Sequence, residues 1–154
     1  MKILIATDGS ECSKVAVEES CRNIIQPGSA RVRIVSTFED TYPMAAEPFA
    51  VSAEYYQAII NAAEKQAEQF ADEAAASVRE HFSGAAIDVS TRVLRGSPAP
   101  AIVDEARDWG AELIVVGSHG RGFWARQMIG SVSDAVIHHS PCSVLVVRSP
   151  RKAE

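Results

Sequence analysis

The chain has few cysteines, few aromatic side chains and no long apolar run. Three of its 154 residues are cysteines, at Cys12, Cys21 and Cys142, and 6% are aromatic. An odd, unclustered set of cysteines does not build a disulfide framework, so we expect free thiols and a cytoplasmic protein. No apolar run approaches the ~18 residues that a membrane span needs, and the apolar stretch at the N-terminus is too short for a signal peptide.

The chain also lacks an excess of positive charge. Its 15 Lys and Arg residues stand against 20 Asp and Glu residues, which leaves a net charge of -5 at pH 7. Proteins that bind nucleic acid or anionic membranes place clustered Lys and Arg against phosphates, so we expect neither partner. The hydrophobic content of 47% is typical of a soluble globular protein. The length predicts a single domain over residues 1–150, with a short tail at 151–154.

What the sequence does contain is a regular alternation of strand and helix signals. Short apolar or alternating segments predict strands at residues 3–6, 32–37, 87–94, 113–116 and 144–147. Apolar spacings of three and four, with caps and stops, predict helices at residues 11–25, 52–82, 98–109 and 130–139. This order predicts an α/β fold with an open, five-stranded parallel sheet and helices on both faces. Residues 38–51 have no clean period, and we expect a loop there that could act as a lid over the strand ends.

Two of the helices carry more detailed expectations. The second should pack an alanine-rich stripe on the sheet: Ile59, Ala63, Ala67, Phe70, Ala74, Val78 and Phe82. At ~1.5 Å per residue it is longer than the sheet it crosses, so one end should overhang or be kinked. The third helix should have Ser97 as its cap and Pro98 at its first position, and Gly110 should end it.

Two strand ends are unusual, because Asp8 follows the first strand and Gly117 follows the fourth. A strand order of 3-2-1-4-5 places these strands side by side and makes the gap between them the point where strand order reverses. In open parallel sheets ligands bind beyond the carboxyl ends at that point. The same order puts the third strand at an edge, which fits its alternation of apolar and polar residues. We therefore expect Asp8 and the loop after the fourth strand to line one crevice.

That loop has the features of a phosphate-binding segment. An apolar strand, Leu113 to Val116, leads into Gly117-Ser118-His119-Gly120-Arg121-Gly122, and after a further seven residues Gly130-Ser131-Val132 opens a helix. Glycines allow the main chain to approach a ligand closely, and the first N–H groups of a helix lack intrahelical acceptors. Such an arrangement binds phosphate. The alternative is that the glycines only shape a turn.

Three parts of the chain resemble the ATP-binding universal stress proteins. Gly117-x-x-Gly120, then nine residues, then Gly130-Ser131 fits their Gly-x-x-Gly-(nine)-Gly-Ser/Thr pattern. With average glycine and hydroxyl usage, this pattern arises by chance in under ~1% of chains this size. The opening at residues 5–10 (Ile-Ala-Thr-Asp-Gly-Ser) and the closing at 140–147 (Ser-Pro-Cys-Ser-Val-Leu-Val-Val) also resemble that family.

The resemblance implies a Rossmann-like sheet in the order 3-2-1-4-5, usually in a homodimer, that binds ATP. The aspartate after the first strand would contact the ribose, and the loop glycines would let the main chain pass under the ribose and phosphates. The helix start would supply N–H groups to the phosphates, and adenine would lie against the end of the second strand. The implied binding residues are Asp8, Thr37, Gly117, Gly120, Gly130, Ser131 and Val132. AMP or a cyclic nucleotide is an alternative ligand, and Mg²⁺ could accompany ATP.

Asp8 and several other polar residues have simpler interpretations than ligand binding. Asp8 could be only the cap of the first helix. Arg121 and Arg126 could reach phosphates, although loop arginines are more often solvated. His119 could hydrogen-bond a phosphate, although an exposed position in the loop is the favoured interpretation. A metal site at His138-His139 is not favoured, because adjacent helical side chains point about 100° apart.

Signals for catalysis are weak. The glycine loop lacks the Gly-Lys-Ser/Thr ending of a phosphate-binding NTPase loop, and the Gly-x-Ser-x-Gly nucleophile elbow is absent. We expect no pair of carboxylates in the crevice, so we assign no catalytic residue and expect at most slow ATP hydrolysis. The favoured function is an adenine-nucleotide-binding stress-response module that signals through its nucleotide occupancy. A weak ATPase or phosphotransferase, and an interaction module that no longer binds nucleotide, are the alternatives.

The fifth strand predicts how the chain assembles. Val144 to Val147 are all apolar, yet the strand order places them at an edge of the sheet. An uncovered apolar edge promotes aggregation. We therefore expect a second copy to pair along this edge in a two-fold homodimer. The alternative is that a helix or the tail covers it.

Overall fold

The computed structural model describes residues 1–40, 52–120 and 129–149. Strands and helices alternate along them, in the order β1 (Lys2–Ala6), α1 (Glu11–Asn23), β2 (Arg31–Phe38), α2 (Ala53–His81), β3 (Asp88–Arg95), α3 (Pro98–Trp109), β4 (Leu113–Gly117), α4 (Ser131–His139) and β5 (Ser143–Val147). All strand pairs are parallel, in the order β3-β2-β1-β4-β5. The predicted fold class and strand order are confirmed. Phe38, assigned to the loop from sequence, closes β2, and most of that loop, residues 41–51, lies outside the described residues.

The helices cover both faces of the sheet, as the alternation of elements predicts. On one face, side chains of β1 and β2 pack with α1 and α2, as Ile5, Ile34 and Val78 illustrate. On the other face, Leu4 and Ile114 pack with Ile102 of α3. Successive residues of a strand point to opposite faces, so the continuous apolar runs of β1 and β4 supply both cores. Among the described residues, no helix is long and apolar enough to cross a membrane.

The long helix α2 overhangs the sheet, and its buried stripe differs from the one predicted. At 29 residues it spans about 43 Å, whereas the longest strands have eight residues. Its buried positions are Ile60, Ala67, Ala71, Ala74, Ala75 and Val78. Ile59, expected in the stripe, is 38% exposed, and the buried neighbour is Ile60. The many alanines give little contrast between the faces, so the spacing alone did not fix the rotation of the helix.

The ends of α3 agree with their sequence signals except at the cap. Pro98 is the first helical residue, and Gly110 follows the helix in the left-handed conformation at φ 70°. Ser97 occupies the cap position, but its side chain makes no capping hydrogen bond. Its carbonyl instead accepts from the Ala101 amide at 3.1 Å. The prediction of Ser97 as the cap is therefore correct in position and wrong in mechanism.

The two edges of the sheet differ in polarity. The polar face of β3 carries Arg92, which reaches the carboxylate of Glu105 on α3 at 2.8 Å. Arg33 of β2 binds the same carboxylate at 2.7 Å, and Glu105 is only 4% exposed. At the opposite edge, the apolar side chains of β5 from Val144 to Val146 are half-buried. The buried ion-pair cluster on the β3 side was not anticipated from sequence.

The buried cysteine fits the expectation of free thiols. Cys21 on α1 lies in the core at 5% exposure and forms no disulfide. Burial, with the nearby carboxylate of Glu18, raises the pKa of the Cys21 thiol to about 11. At neutral pH this thiol is therefore protonated and acts as a packing group.

Candidate functional site

A cavity of about 350 Å³ opens at the carboxyl ends of β1, β2 and β4. It lies where the strand order reverses, as the sequence predicted. All seven residues assigned from sequence line it: Asp8, Thr37, Gly117, Gly120, Gly130, Ser131 and Val132. The lining also includes residues that sequence did not assign, among them Thr7, Val35, Pro98, Ile102, Val116 and Ser133. The volume falls in the range typical of small-molecule sites, roughly 300–1,000 Å³.

The turn after β1 presents Asp8 to the cavity and leaves helix capping to another residue. Ser10 is the N-cap of α1, and its hydroxyl oxygen accepts from the Ser13 amide at 3.3 Å. The Asp8 carboxylate instead accepts from the Ser10 amide at 3.0 Å. The alternative that Asp8 is the helix cap is therefore wrong. On the other side of the carboxylate lies Gly120, where an added Cβ would stand 2.8 Å from Asp8 Oδ2.

Gly117 is required by packing within the chain. A Cβ at this position would lie 2.8 Å from the carbonyl carbon of Cys12 and 2.9 Å from the amide nitrogen of Ser13. These are main-chain atoms of the first turn of α1, so they cannot rotate away. The three glycines of the motif are not among the described glycines with positive φ. They therefore provide space and do not serve to permit an unusual backbone conformation.

Gly130 joins the end of the glycine loop to its beginning. Its amide donates to the carbonyl of Ser118 at 2.8 Å, so this N–H group is already used within the chain. Gly130 is also the N-cap of α4. Ser131, Val132 and Ser133 then form the first helical turn, where the amide N–H groups have no intrahelical acceptor. Together with the helix dipole, they give this end of the cavity a preference for anions.

A hydroxyl of α4 fixes that helix start against β4. The Ser133 hydroxyl donates to the carbonyl of Gly117 at 2.7 Å, and Ser133 is only 4% exposed. The bond links the last residue of β4 to the first turn of α4. It therefore holds the helix amides at a fixed distance from the loop. No pattern in the sequence indicates a role for Ser133 beyond its place in the first turn of a helix.

The end of β2 offers a main-chain donor and acceptor to the cavity. The Val35 carbonyl accepts from Thr7 at 2.9 Å, whereas the Phe38 carbonyl accepts from Gly96 on the opposite side. In a parallel strand, alternate residues direct both main-chain groups to the same neighbour. The main-chain groups of Thr37 therefore point to the same side as those of Val35, towards β1. Because β1 ends at Ala6, opposite Val35, it does not pair with Thr37. The N–H and C=O of Thr37 lie side by side at the cavity.

Apolar side chains form the wall next to Thr37. Val35, Ile102 and Val116 line the cavity and are nearly inaccessible to solvent, at 0%, 3% and 3% exposure. Pro98 of α3 and Val132 of α4 also line the cavity. An apolar slot beside a main-chain donor and acceptor suits a planar heterocycle with polar atoms on one edge.

Charged groups are few among the described lining residues. Asp8 is the only carboxylate there, and no Lys or Arg is present. Arg121 and Arg126 lie outside the described residues. His119 lines the cavity, is half-buried, and has its Nδ1 3.0 Å from the Ser118 hydroxyl. The prediction of an exposed loop histidine is therefore wrong.

No metal site is seen in the parts of the chain that the structure describes, since they contain no group of three or more potential His, Cys, Asp or Glu ligands. His138 Nδ1 lies 2.8 Å from the carbonyl of Asp134, one turn earlier in α4. This ring is therefore engaged with its own helix.

The chain is similar in sequence to one protein family over almost its whole length. The profile described as "Universal stress protein family" matches residues 1–148. A universal stress protein of Methanocaldococcus jannaschii is 34% identical over 152 residues, which cover 98% of this chain and 84% of the relative. A Staphylococcus epidermidis protein provisionally given the same name is 34% identical over 155 residues, covering 99% of this chain and 86% of that protein.

Solved structures share the fold. Universal stress protein UspA from Lactobacillus plantarum superposes with a TM-score of 0.75 at 22% identity, covering 96% of this chain and 97% of that one. A universal stress protein family member from Arabidopsis thaliana with AMP bound gives 0.68 at 16% identity, with coverages of 97% and 92%. The Archaeoglobus fulgidus protein in complex with dAMP gives 0.57 at 22% identity, with coverages of 96% and 97%.

Proposed function

Because this chain belongs to the universal stress protein family, we propose that it binds an adenine nucleotide in the cavity at the carboxyl ends of β1, β2 and β4. One observation carries the proposal. The same cavity brings together a main-chain donor and acceptor, an apolar slot and the N-terminus of a helix. These match the base edge, the base faces and the phosphates of a nucleotide. The AMP and dAMP complexes of proteins with this fold support the same ligand class.

The base is assigned to the slot between Thr37 and the apolar wall. Adenine presents a donor, the exocyclic amine, next to an acceptor, the ring nitrogen N1, on its Watson–Crick edge. The Thr37 carbonyl accepts from the amine, and the Thr37 amide donates to N1. Guanine reverses both polarities at this edge, so it leaves two polar groups without partners. We expect GTP to bind roughly ten- to hundredfold more weakly than ATP, because a buried unpaired group costs about 1–3 kcal/mol.

The phosphates are assigned to the first turn of α4. The amides of Ser131, Val132 and Ser133 donate to phosphate oxygens, and the Ser131 hydroxyl adds a further donor. The Gly130 amide, included with this set from sequence, is bound to Ser118 and is left out of it. Asp8 accepts hydrogen bonds from the ribose hydroxyls. ATP is the proposed ligand. Because the described lining residues include no Lys or Arg, Mg²⁺ would neutralise part of the phosphate charge.

The proposed role is binding, with nucleotide occupancy as the signal in a cytoplasmic stress response. Asp8 is the sole carboxylate among the described lining residues, and it is assigned to the ribose. The described lining residues therefore offer no second carboxylate to activate water, and the other titratable side chain there, His119, has its Nδ1 3.0 Å from the Ser118 hydroxyl. We expect ATP turnover far below the ~1 s⁻¹ at which typical enzymes begin.

Isothermal titration calorimetry with ATP, AMP, cyclic AMP and GTP tests the proposal. Wild type should bind the adenine nucleotides, and Gly130→Val should bind them at least about a hundredfold more weakly, since a bulky side chain displaces Ser118 and blocks the helix start. Ala85→Val, in an exposed turn away from the cavity, is the matched control and should bind normally. A folded wild-type protein that binds no adenosine phosphate at millimolar concentration would leave only an interaction module. Sustained turnover with Mg²⁺ would favour an enzyme.

The proposal includes a homodimer through the outer edge of β5. The half-buried side chains Val144, Leu145 and Val146 lie at this edge, and a second copy would cover them. Val146→Lys should shift sedimentation from dimer to monomer, because it places a charge in the buried interface. Thr91→Lys, at the opposite, exposed edge strand, is the control and should leave the dimer intact. A monomeric wild type would refute this part without touching nucleotide binding.

A further inference from the structure

Phe70, on α2, packs directly against the turn that carries Asp8. A Cβ added to Gly9 would stand 2.5 Å from ring carbons Cδ1 and Cε1 of Phe70. The ring therefore lies against the Gly9 main chain with no room for a side chain between them. Gly9 also has a φ of +73°, which L side chains rarely adopt. Residue 9 is thus glycine for two reasons, and one of them is Phe70.

The rest of the turn is held by short-range hydrogen bonds. The Gly9 amide donates to the Thr7 hydroxyl at 3.2 Å, and the Ser10 amide donates to the Asp8 carboxylate at 3.0 Å. On the cavity side the carboxylate meets Gly120. The turn therefore has Gly120 in front of it and the Phe70 ring behind it.

Space next to the ring makes this support consequential. A second cavity of about 240 Å³ lies between α1 and α2, and Thr7, Gly9 and Phe70 all border it. If the ring were removed, the turn could move backwards into this space. Such a movement would withdraw Asp8 from the nucleotide cavity without breaking any of the strands.

Phe70 is also distinct from the residues that fix α2 on the sheet. The buried positions of the helix are small or aliphatic, such as Ala71, Ala75 and Val78, whereas Phe70 is half-buried. Phe82, just after the helix, is a useful contrast, because it packs against the core cluster between the sheet and α1 and α2. The two phenylalanines are chemically identical, but one supports the turn and the other supports the core.

We propose that Phe70 is a positioning residue for nucleotide binding: it holds the Thr7–Ser10 turn so that Asp8 faces the ribose. This inference rests on the proposed function. Phe70 acts through the turn and does not touch the ligand. Its loss reduces affinity only to the extent that affinity depends on Asp8.

A double-mutant cycle with calorimetry tests this coupling. Phe70→Ala should weaken ATP binding about tenfold, within the range for residues in contact, and Phe70→Ala combined with Asp8→Ala should bind no more weakly than Asp8→Ala alone. Phe70→Leu, which keeps much of the volume, should recover most of the affinity. Phe82→Ala is the control, and it should lower the free energy of unfolding while leaving affinity unchanged. Wild-type affinity in Phe70→Ala, or losses that add in the double variant, would overturn the inference.

Hydrogen exchange gives a second readout that needs no nucleotide. The Ser10 amide is protected by the Asp8 carboxylate, so it should exchange faster in Phe70→Ala than in wild type or Phe82→Ala. Equal rates in the three proteins would refute the positioning role. If wild type binds no nucleotide but exchange responds as expected, the proposed function fails and the support of the turn stands.

Discussion

The two walls of the main cavity differ in the chemical groups that form them. The apolar wall consists of side chains, Val35, Ile102 and Val116, which also belong to the core between the sheet and α3. The polar wall consists of main-chain groups, the carboxylate of Asp8 and side chains such as those of Ser131 and His119, with glycines providing the space. A substitution in the slot for the base should therefore also lower stability, because the same side chains stabilise the core. The wall facing the ribose and phosphates can change with little effect on the core, except where a glycine also packs against a helix.

The largest effect is expected on the apolar wall. Ile102→Ala removes a side chain that is 3% exposed, and it should lower the free energy of unfolding by about 2–5 kcal/mol. Urea denaturation followed by circular dichroism measures this. ATP affinity of the folded fraction should fall as well, because the base loses contact. A variant of wild-type stability would show that this wall is not part of the core.

Gly117→Ala should lower stability as a core substitution does, although Gly117 belongs to the polar wall. The added Cβ would meet the main chain of Cys12 and Ser13 at 2.8–3.0 Å. We expect a loss of about 3 kcal/mol in the free energy of unfolding, at the upper end for overpacking. The same urea experiment reports it. If Gly117→Ala were as stable as wild type, the close approach of α1 to β4 would be contradicted.

Gly120→Ala should show the opposite behaviour, with lower ATP affinity and nearly unchanged stability. The added Cβ would stand 2.8 Å from a side-chain atom, Asp8 Oδ2, which can rotate away. Stability should stay within about 0.5 kcal/mol of wild type, while ATP affinity should fall about tenfold, or 1.4 kcal/mol, because Asp8 is displaced. Calorimetry and urea denaturation of the same preparation separate the two quantities. Loss of stability together with unchanged affinity would reverse the assignment of Gly120.

Ser133→Ala should give the smallest effect and probe how firmly the start of α4 is held. It removes the 2.7 Å hydrogen bond to the Gly117 carbonyl, and the expected cost is about 1 kcal/mol in stability. Affinity for ATP should drop only a few-fold, because the amide of residue 133 is unchanged. Ser131→Ala is the comparison: it should affect affinity but hardly stability, since its hydroxyl is assigned to phosphate. Identical behaviour of the two variants would argue against separate roles.

Much of the fold could be predicted because its signals are local. The strands β1 and β4 are uninterrupted apolar runs, as burial on both faces requires, and their ends at Asp8 and Gly117 indicated the crevice. The spacing from Gly120 to Gly130 indicated the helix start. The rotation of α2 was predicted wrongly at Ile59, because alanine contributes little to either side of the pattern. The buried carboxylate of Glu105 on α3 depends on arginines from two strands, β2 and β3, and no local pattern signals it.

The site was predicted where the chain itself supplies the motif and missed where other elements complete it. Ile102 is an apolar residue of α3, but its place beside the end of β2 depends on how α3 crosses the sheet. Ser10, two residues after Asp8, could have been recognised as the helix cap, because serine is as good a cap as aspartate. Phe70 lies 61 residues after Gly9, so only the packing of α2 on the turn reveals their contact.

The central claim is that main-chain amides at the end of β2 and the start of α4 bind one adenine nucleotide, and a titration of ¹⁵N-labelled protein with ATP tests it most directly. The amide resonances of Thr37, Ser131 and Val132 should shift together with a single affinity, while those of Gly28 and Gly84, in turns outside the cavity lining, stay in place. If saturating ATP leaves the Thr37 and Ser131 amides unchanged, or shifts only residues outside the cavity, the account is contradicted.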